Sequence, residues 1–250
     1  MTDPIPAATL AIFRESDDGA PDLLFVERAG GMAFAAGALV FPGGRVDPDD
    51  HAIAAGFSAL DPEDAAARVA AIRETLEETG LAIGFVRLPD ADEAGAMRAA
   101  LEGGETFGAI LARGGWTLDL DALVPWARWC PSFRESRNFD TRFYLARLPD
   151  GAHPATVDQT ENVHLFWAPA QAVLDRAARG EVHLIFPTRR NLERIAHHGN
   201  FAAAAAHAAQ VEMRMIQPWI EARGGEDWLC IPEDQGYPVT CEPLAAARRG

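Results

Sequence analysis

The chain has 250 residues, enough for one large domain or two small ones, and its 48% hydrophobic content suffices for a buried core. Its 37 acidic residues against 22 basic ones leave a formal net charge of -15, a surface that repels phosphate backbones and anionic lipid, so neither a nucleic-acid nor a membrane partner is expected. No apolar run approaches the roughly 18 residues of a membrane span, and the opening MTDPIPAATL lacks a secretory pattern, so the expected location is cytoplasmic.

Residues 7–14 and 22–28 read as strands around the turn-prone SDDGAPD, a hairpin pattern. Leu39-Val40-Phe41 reads as a short strand stopped by Pro42-Gly43-Gly44. Residues 45–60 read as an extended loop. Asp61 then offers an N-cap, Pro62 fits the first helical position, and Glu63 and Asp64 suit the positive helix end. That helix should run to about Thr79, with Gly80 as its stop. A strand is expected over 81–88, then one or two helices over 91–113 broken at Gly103-Gly104, with loop and strand following. Strands at 141–148 and 162–168 precede a helix at 169–179, and Pro187-Thr188 opens another helical stretch. The alanine-rich 201–222 reads as a helix, kinked or ended by Pro218 and suited to capping the core or forming a homodimer contact; the closing stretch has no strong period. With no internal repeat or long linker, a single mixed α/β domain of residues 1–250 is expected. Cys130, Cys230 and Cys241 are few, odd in number and widely spaced, which fits neither a disulfide framework nor a zinc cluster.

The chemistry gathers at Arg73-Glu74-Thr75-Leu76-Glu77-Glu78-Thr79-Gly80. At about 100° per residue, Ala65, Val69, Ile72 and Leu76 share one stripe while Glu74, Glu77 and Glu78 lie opposite. Two explanations stand for the acidic side: a solvated face, or carboxylates gathered around a hard cation that relieves their repulsion. Such a cation, Mg2+ or Mn2+, would neutralise phosphate charge and generate a hydroxide nucleophile. Arg73 lies four positions before Glu77 and could orient it.

This segment, with Phe41-Pro42-Gly43-Gly44 upstream, resembles the Nudix hydrolase family. The family pattern is a glycine, five residues, a glutamate, seven residues, then R-E-U-x-E-E-x-G-U with U bulky and aliphatic. Residues 73–81 match its second half, with Thr75 a departure. The resemblance implies a Nudix-type α/β/α sandwich with a mixed sheet and additional helices. It also implies Arg73, Glu74, Glu77 and Glu78 as the catalytic set. Glu74 and Glu78 would lead as metal ligands, Glu77 assisting, with the Gly44 carbonyl and Glu161 as further ligands; which glutamate serves as base stays open. Counting back from Arg73 puts Ala65 where the pattern has its first glutamate, 21 residues after Gly44, so Glu63 or Asp64 is expected to stand in. His153, His164 and His183 are alternative bases.

ARWCPSFRESRNFDTRFYLARLP and GEVHLIFPTRRNLERIA resemble the branch of peroxisomal coenzyme A diphosphatases and their bacterial relatives, and LLFVERAGGMAFAAGALVFPGG partly resembles the coenzyme A signature. The implied substrate is coenzyme A or acyl-coenzyme A; ADP-ribose, NADH or another nucleoside diphosphate derivative is the alternative, and a non-catalytic nucleotide-binding module a third. Arg134, Arg137 and Arg142 suggest an anion-binding rim, and Trp129, Phe133 and Phe139 either stack on a base or belong to the core.

Overall fold

Strand β1 (Ile5–Arg14) is buried on both faces: Ala8, Leu10 and Ile12 enter one core, Ala11 and Phe13 the other. A strand with apolar side chains on both faces needs cover on both, which dictates a three-layer arrangement. The same alternation recurs in β2 (Asp22–Arg28), where Leu24 faces one core and Leu23 and Phe25 the other. It recurs again in β6 (Phe139–Arg147), split between Tyr144 and Ala146 and Phe143 and Leu145. The computed structural model describes residues 3–16, 19–28, 37–131, 138–157 and 162–247.

The remaining strands of the central sheet are β3 (Ala38–Val40), β4 (Gly43–Arg45), β5 (Val124–Trp129), β7 (Asn162–Pro169), β8 (His183–Leu184) and β9 (Met215–Ile216). The order is β8-β3-β2-β1-β6-β5-β9, with β4 beside β1 and β7 beside β2. β1 and β6 run parallel from Ile5↔Phe139 to Phe13↔Arg147, whereas β2 pairs antiparallel with both β1 and β7, so the sheet is mixed. One face is covered by α1 (Pro48–Ala54), α2 (Pro62–Thr79), α3 (Ala91–Glu102) and α4 (Phe107–Gly114). The other is covered by α5 (Ala170–Ala178), α6 (Phe186–Ile195) and α7 (Phe201–Ala208). The α/β/α sandwich with a mixed sheet and additional helices is therefore the observed architecture.

The structure corrects several expectations. The segment 45–60 contains helix α1: Asp47-Pro48-Asp49-Asp50 repeats the chemistry that starts α2, and the Asp50 carboxylate accepts from the Asp47 N–H at 2.8 Å. Residues 81–88 form no strand beyond the single bridge Phe85↔Leu118. Leu81, Ala82 and Ile83 are buried instead, and Gly84 is pressed so close to Ile72 that a Cβ there would stand 2.6 Å from its Cδ1. The 201–222 helix stops after Ala208 because the chain that follows finds a better partner: Met215–Ile216 joins the sheet edge beside Arg128 and Trp129, burying Ile216. The closing stretch then forms a separate antiparallel sheet of β10 (Trp219–Arg223), β11 (Glu226–Cys230) and β12 (Cys241–Pro243), followed by α8 (Leu244–Ala247). Its register sets Cys230 opposite Cys241, and the two form a disulfide, which corrects for this pair the expectation that the spacing fits no disulfide; Cys130 is free and buried. No helix among the described residues is long and apolar enough to cross a membrane.

Candidate active site

Helix α2 starts and stops where its caps dictate. Asp61 accepts from the Asp64 N–H at 2.9 Å, Pro62 occupies the first turn, and Gly80 closes the helix in the left-handed conformation. Ala65, Val69, Ile72 and Leu76 are fully buried as the stripe requires. The opposite side is not a solvated face: Ala66, Ala70 and Thr75 are also buried, and Glu78 is only 4% exposed. What covers Glu74 and Glu78 is the turn into β4, with that strand's first two residues, Gly43 and Gly44.

That turn needs both its glycines. Gly43 has φ +152°, and a Cβ on it would lie 2.2 Å from the Ala8 carbonyl oxygen; a Cβ on Gly44 would lie 2.3 Å from Glu74 Cδ. Bare backbone thus meets both carboxylates. Glu78 Oε2 accepts from the Gly43 N–H at 3.0 Å.

Arg73 anchors this arrangement from below. Its Nε and Nη2 grip the two oxygens of Asp50 at 3.0 and 2.9 Å, Nη2 also donates to the Arg45 carbonyl, and Nη1 reaches Glu74 at 3.0 Å and Glu77 at 3.1 Å. Asp50, fully buried, is the residue the sequence expectation missed. Counted forward from Gly44, the family's glycine, five residues and acid fall on Asp50, with aspartate replacing glutamate. Ala65 is simply core, and neither Glu63 nor Asp64 substitutes. Asp64, in the first turn of α2, binds Arg68 at 2.8 Å, Arg142 at 3.2 Å and the Tyr144 hydroxyl at 2.8 Å. It lies ten residues before Glu74, about 15 Å along the helix axis.

Burial pushes the Glu74 carboxyl up to about 7, against the opposing pull of Arg73. Burial, reinforced by the neighbouring Glu74, pushes Glu78 up to about 8, although the Gly43 amide and Asn162 favour its charged form. Glu77 is raised in the same sense by burial. Burial alone would lower Arg73, but the Asp50 hydrogen bonds and the charges of Glu74, Asp50 and Glu77 outweigh it and hold the guanidinium firmly protonated. Two neighbouring carboxylates, Glu78 buried and Glu74 largely so, each with its proton affinity raised, fit a divalent cation, which would take the place of those protons. Among the described residues no three His, Cys, Asp or Glu side chains are already gathered around one such point. Glu74 and Glu78 would therefore share an ion with backbone, water or substrate oxygens, as Mg2+ commonly does.

Glu161, Arg134, Arg137 and Phe133 lie outside the described residues. Arg142 is joined to Asp64 and not to the glutamate end of α2. His164 and His183 are exposed, while His153 contacts the Pro154 carbonyl at 3.2 Å. Trp129 is fully buried and donates to the Tyr237 hydroxyl, a core role; Phe139 is half-buried at the start of β6. Sequence reasoning also overlooked Arg28, the last residue of β2. Its charge acts on Glu78, its buried Nε has no hydrogen-bond partner among the described residues, and it stands opposite Asn162 in the β2·β7 pair. Its position at the end of LLFVER, before a glycine-rich segment, was the available signal.

The fold is similar to that of a NUDIX hydrolase from Alicyclobacillus acidocaldarius, a crystal structure 30% identical in sequence, with a TM-score of 0.72 over 82% of this chain and 97% of that one. The chain belongs to the Nudix hydrolase family. It is also similar to the acyl-coenzyme A diphosphatase NUDT19 of Gallus gallus, 24% identical over 276 residues that cover 87% of this chain and 73% of that protein. No protein-family model matches the chain. This Nudix protein is accordingly a hydrolase of pyrophosphate bonds, in a family that generally needs a divalent metal.

Proposed function

We propose that this Nudix hydrolase splits the diphosphate of coenzyme A or an acyl-coenzyme A with Mg2+ or Mn2+ bound at Glu74 and Glu78. The observation that carries the metal reading is the pair of buried Glu78 and largely buried Glu74 set against the Gly43-Gly44 backbone. The substrate reading is supported by the similarity to an acyl-coenzyme A diphosphatase along 87% of the chain.

A bound ion supplies charge neutralisation for the phosphate oxygens and acidifies a water. The chain's own residues do the placing. Arg73, fixed by Asp50, holds Glu74 and Glu77 in position. The Gly43 N–H fixes one oxygen of Glu78, and Glu74, Glu78, the Gly44 carbonyl and Glu161 form the proposed ligand set that would hold the ion. Arg28 is proposed as a contact to the substrate's phosphates, together with Arg134 and Arg137; Arg142 leaves that set because Asp64 engages it. In the reaction a water oxygen bonds to phosphorus, the bridging P–O bond breaks, and coenzyme A yields 4'-phosphopantetheine and an adenosine bisphosphate.

The test is hydrolysis of coenzyme A, acetyl-coenzyme A, ADP-ribose and NADH with added Mg2+ or Mn2+, products resolved by chromatography. Coenzyme A compounds should be cleaved well above the others; metal-dependent cleavage of ADP-ribose with coenzyme A left intact would discard the substrate while keeping the Nudix chemistry. Glu78→Gln should lower kcat by more than about 100-fold, beyond the range usual for residues outside the ligand set, with the fold retained. An unchanged rate would remove Glu78 from the metal site.

A further inference from the structure

The Pro42–Gly43 peptide joins two sides of the site. Its N–H donates to Glu78 Oε2 at 3.0 Å. Its carbonyl oxygen accepts two hydrogen bonds from β1: the Leu10 N–H at 2.9 Å and the Thr9 hydroxyl, also at 2.9 Å. The Thr9 proton is shared with the neighbouring Phe41 carbonyl at 3.2 Å. Because amide, carbonyl and N–H lie in one rigid plane, whatever fixes the carbonyl direction fixes the direction of the N–H. Donors on the oxygen also polarise the amide and strengthen what its N–H donates, by about 10–30% per bond.

Beyond the Leu10 N–H, the neighbouring geometry gives this plane little else to lean on. The preceding proline has no N–H, and Gly43 lacks a side chain, so the turn cannot be anchored through groups of its own there. Thr9 is nearly buried, and Gly43 rides directly over its Cα, where a Cβ would stand at 2.6 Å. Among the side chains of the described residues, it is the Thr9 hydroxyl that holds the Pro42 carbonyl.

We infer that Thr9 is a positioning residue of this hydrolase, acting through the Pro42–Gly43 peptide to set the Glu78 carboxylate. Its hydroxyl bonds to the Pro42 and Phe41 carbonyls and not to Glu78; together with the Leu10 N–H it sets where the Gly43 N–H points. The consequence for metal affinity rests on the proposed role of Glu78 as a ligand, whereas the clamp itself does not.

Thr9→Val keeps the shape and removes the hydroxyl; Thr9→Ser keeps the hydroxyl and removes a methyl. In metal-free protein labelled with 15N-glycine, the Gly43 amide should exchange with solvent about 2- to 10-fold faster in Thr9→Val, the size of one net hydrogen bond, and near the wild-type rate in Thr9→Ser. Calorimetric Mn2+ affinity should weaken by a similar factor in Thr9→Val, with kcat falling alongside and KM unchanged, and Thr9→Ser should restore all three. An unaltered Gly43 exchange rate in Thr9→Val overturns the inference, as does a Thr9→Ser variant that loses as much as Thr9→Val. Should the wild-type protein bind no Mn2+, the metal reading fails, and the Gly43 exchange rates still decide whether the clamp exists.

Discussion

Replacing Asp50 by alanine strips Arg73 of its two-pronged partner while leaving the guanidinium in place, with only 7% of its side chain exposed. Breaking a buried pair by removing one member typically costs about 3–5 kcal/mol, because the remaining charge keeps its desolvation penalty. Total stabilities of about 5–15 kcal/mol make that a large fraction, and at about 2–4 °C per kcal/mol for a chain of this length Tm should fall by about 6–20 °C. Stability alone would not show that Asp50 serves the site, so the second reading is Mn2+ affinity. In Asp50→Asn the shape remains, but Arg73 is freed to pull on Glu74 and Glu77, and affinity should drop about 10- to 100-fold, as for other residues that orient metal ligands. Asp64→Asn is the control: it loosens Arg68 and Arg142 at the far end of α2 and should leave Mn2+ affinity near wild type. Weakened binding in Asp64→Asn with unchanged binding in Asp50→Asn would refute the assignment of Asp50 as the motif's first acid.

Gly44→Ala would drive a methyl to within 2.3 Å of Glu74 Cδ, so the carboxylate must swing away; kcat should fall about 100-fold in a steady-state assay, and a rate within a few-fold of wild type would show that Glu74 need not sit there. His207 accepts from Arg194 Nε at 3.1 Å and lies 4.6 Å, ring to ring, from His198; burial first, then the neighbouring positive charge, lowers both pKa values below the usual 6.5. The unfolded chain therefore takes up protons before the fold does, and this contribution to stability is lost as pH falls below about 6.5. Denaturant midpoints of wild type and His207→Gln should diverge between pH 7.5 and pH 5.5, the variant losing less; parallel profiles would reject the coupling.

How much of this was legible in the sequence depends on whether a feature is local. Asp61, Pro62 and Gly80 bound α2 where the caps say, because capping is settled within a few residues. The strands expected at 141–148 and 162–168 and the helix expected at 169–179 fall within two residues of β6, β7 and α5, because period and punctuation are local signals too. Helix α1 was equally readable, since Asp47-Pro48-Asp49-Asp50 carries the same cap chemistry as Asp61-Pro62-Glu63-Asp64. The end of α7 was not: alanines favour a longer helix, and only the sheet edge offered by Arg128 and Trp129 explains why Met215 and Ile216 are extended. Nor was the Cys230–Cys241 pairing, which a separation of 11 residues does not announce until β11 and β12 are aligned.

The motif's acid falls on Ala65 when the pattern is counted back from Arg73 and on Asp50 when it is counted forward from Gly44. Arg73 fixes the second half of the pattern and Gly44 the first, and the additional residues belong between Asp50 and Arg73, a gap of 23 positions where the family pattern has eight. These fifteen residues complete α1, make the turn that follows and extend α2 toward its N-terminus, so they carry their own hydrogen bonds and core contacts instead of hanging as a loop. Stretching a connection nearly threefold costs only about 1 kcal/mol in closure entropy even for a flexible chain. The buried Asp50–Arg73 pair, a contact between groups distant in sequence and adjacent in space, holds the two halves in register whatever the length between them. Spacing along the chain therefore constrains this site less than the charges do: an acid that can reach Arg73 from the Gly44 side is what the geometry requires, and Asp50 meets it with one methylene fewer than the family's glutamate.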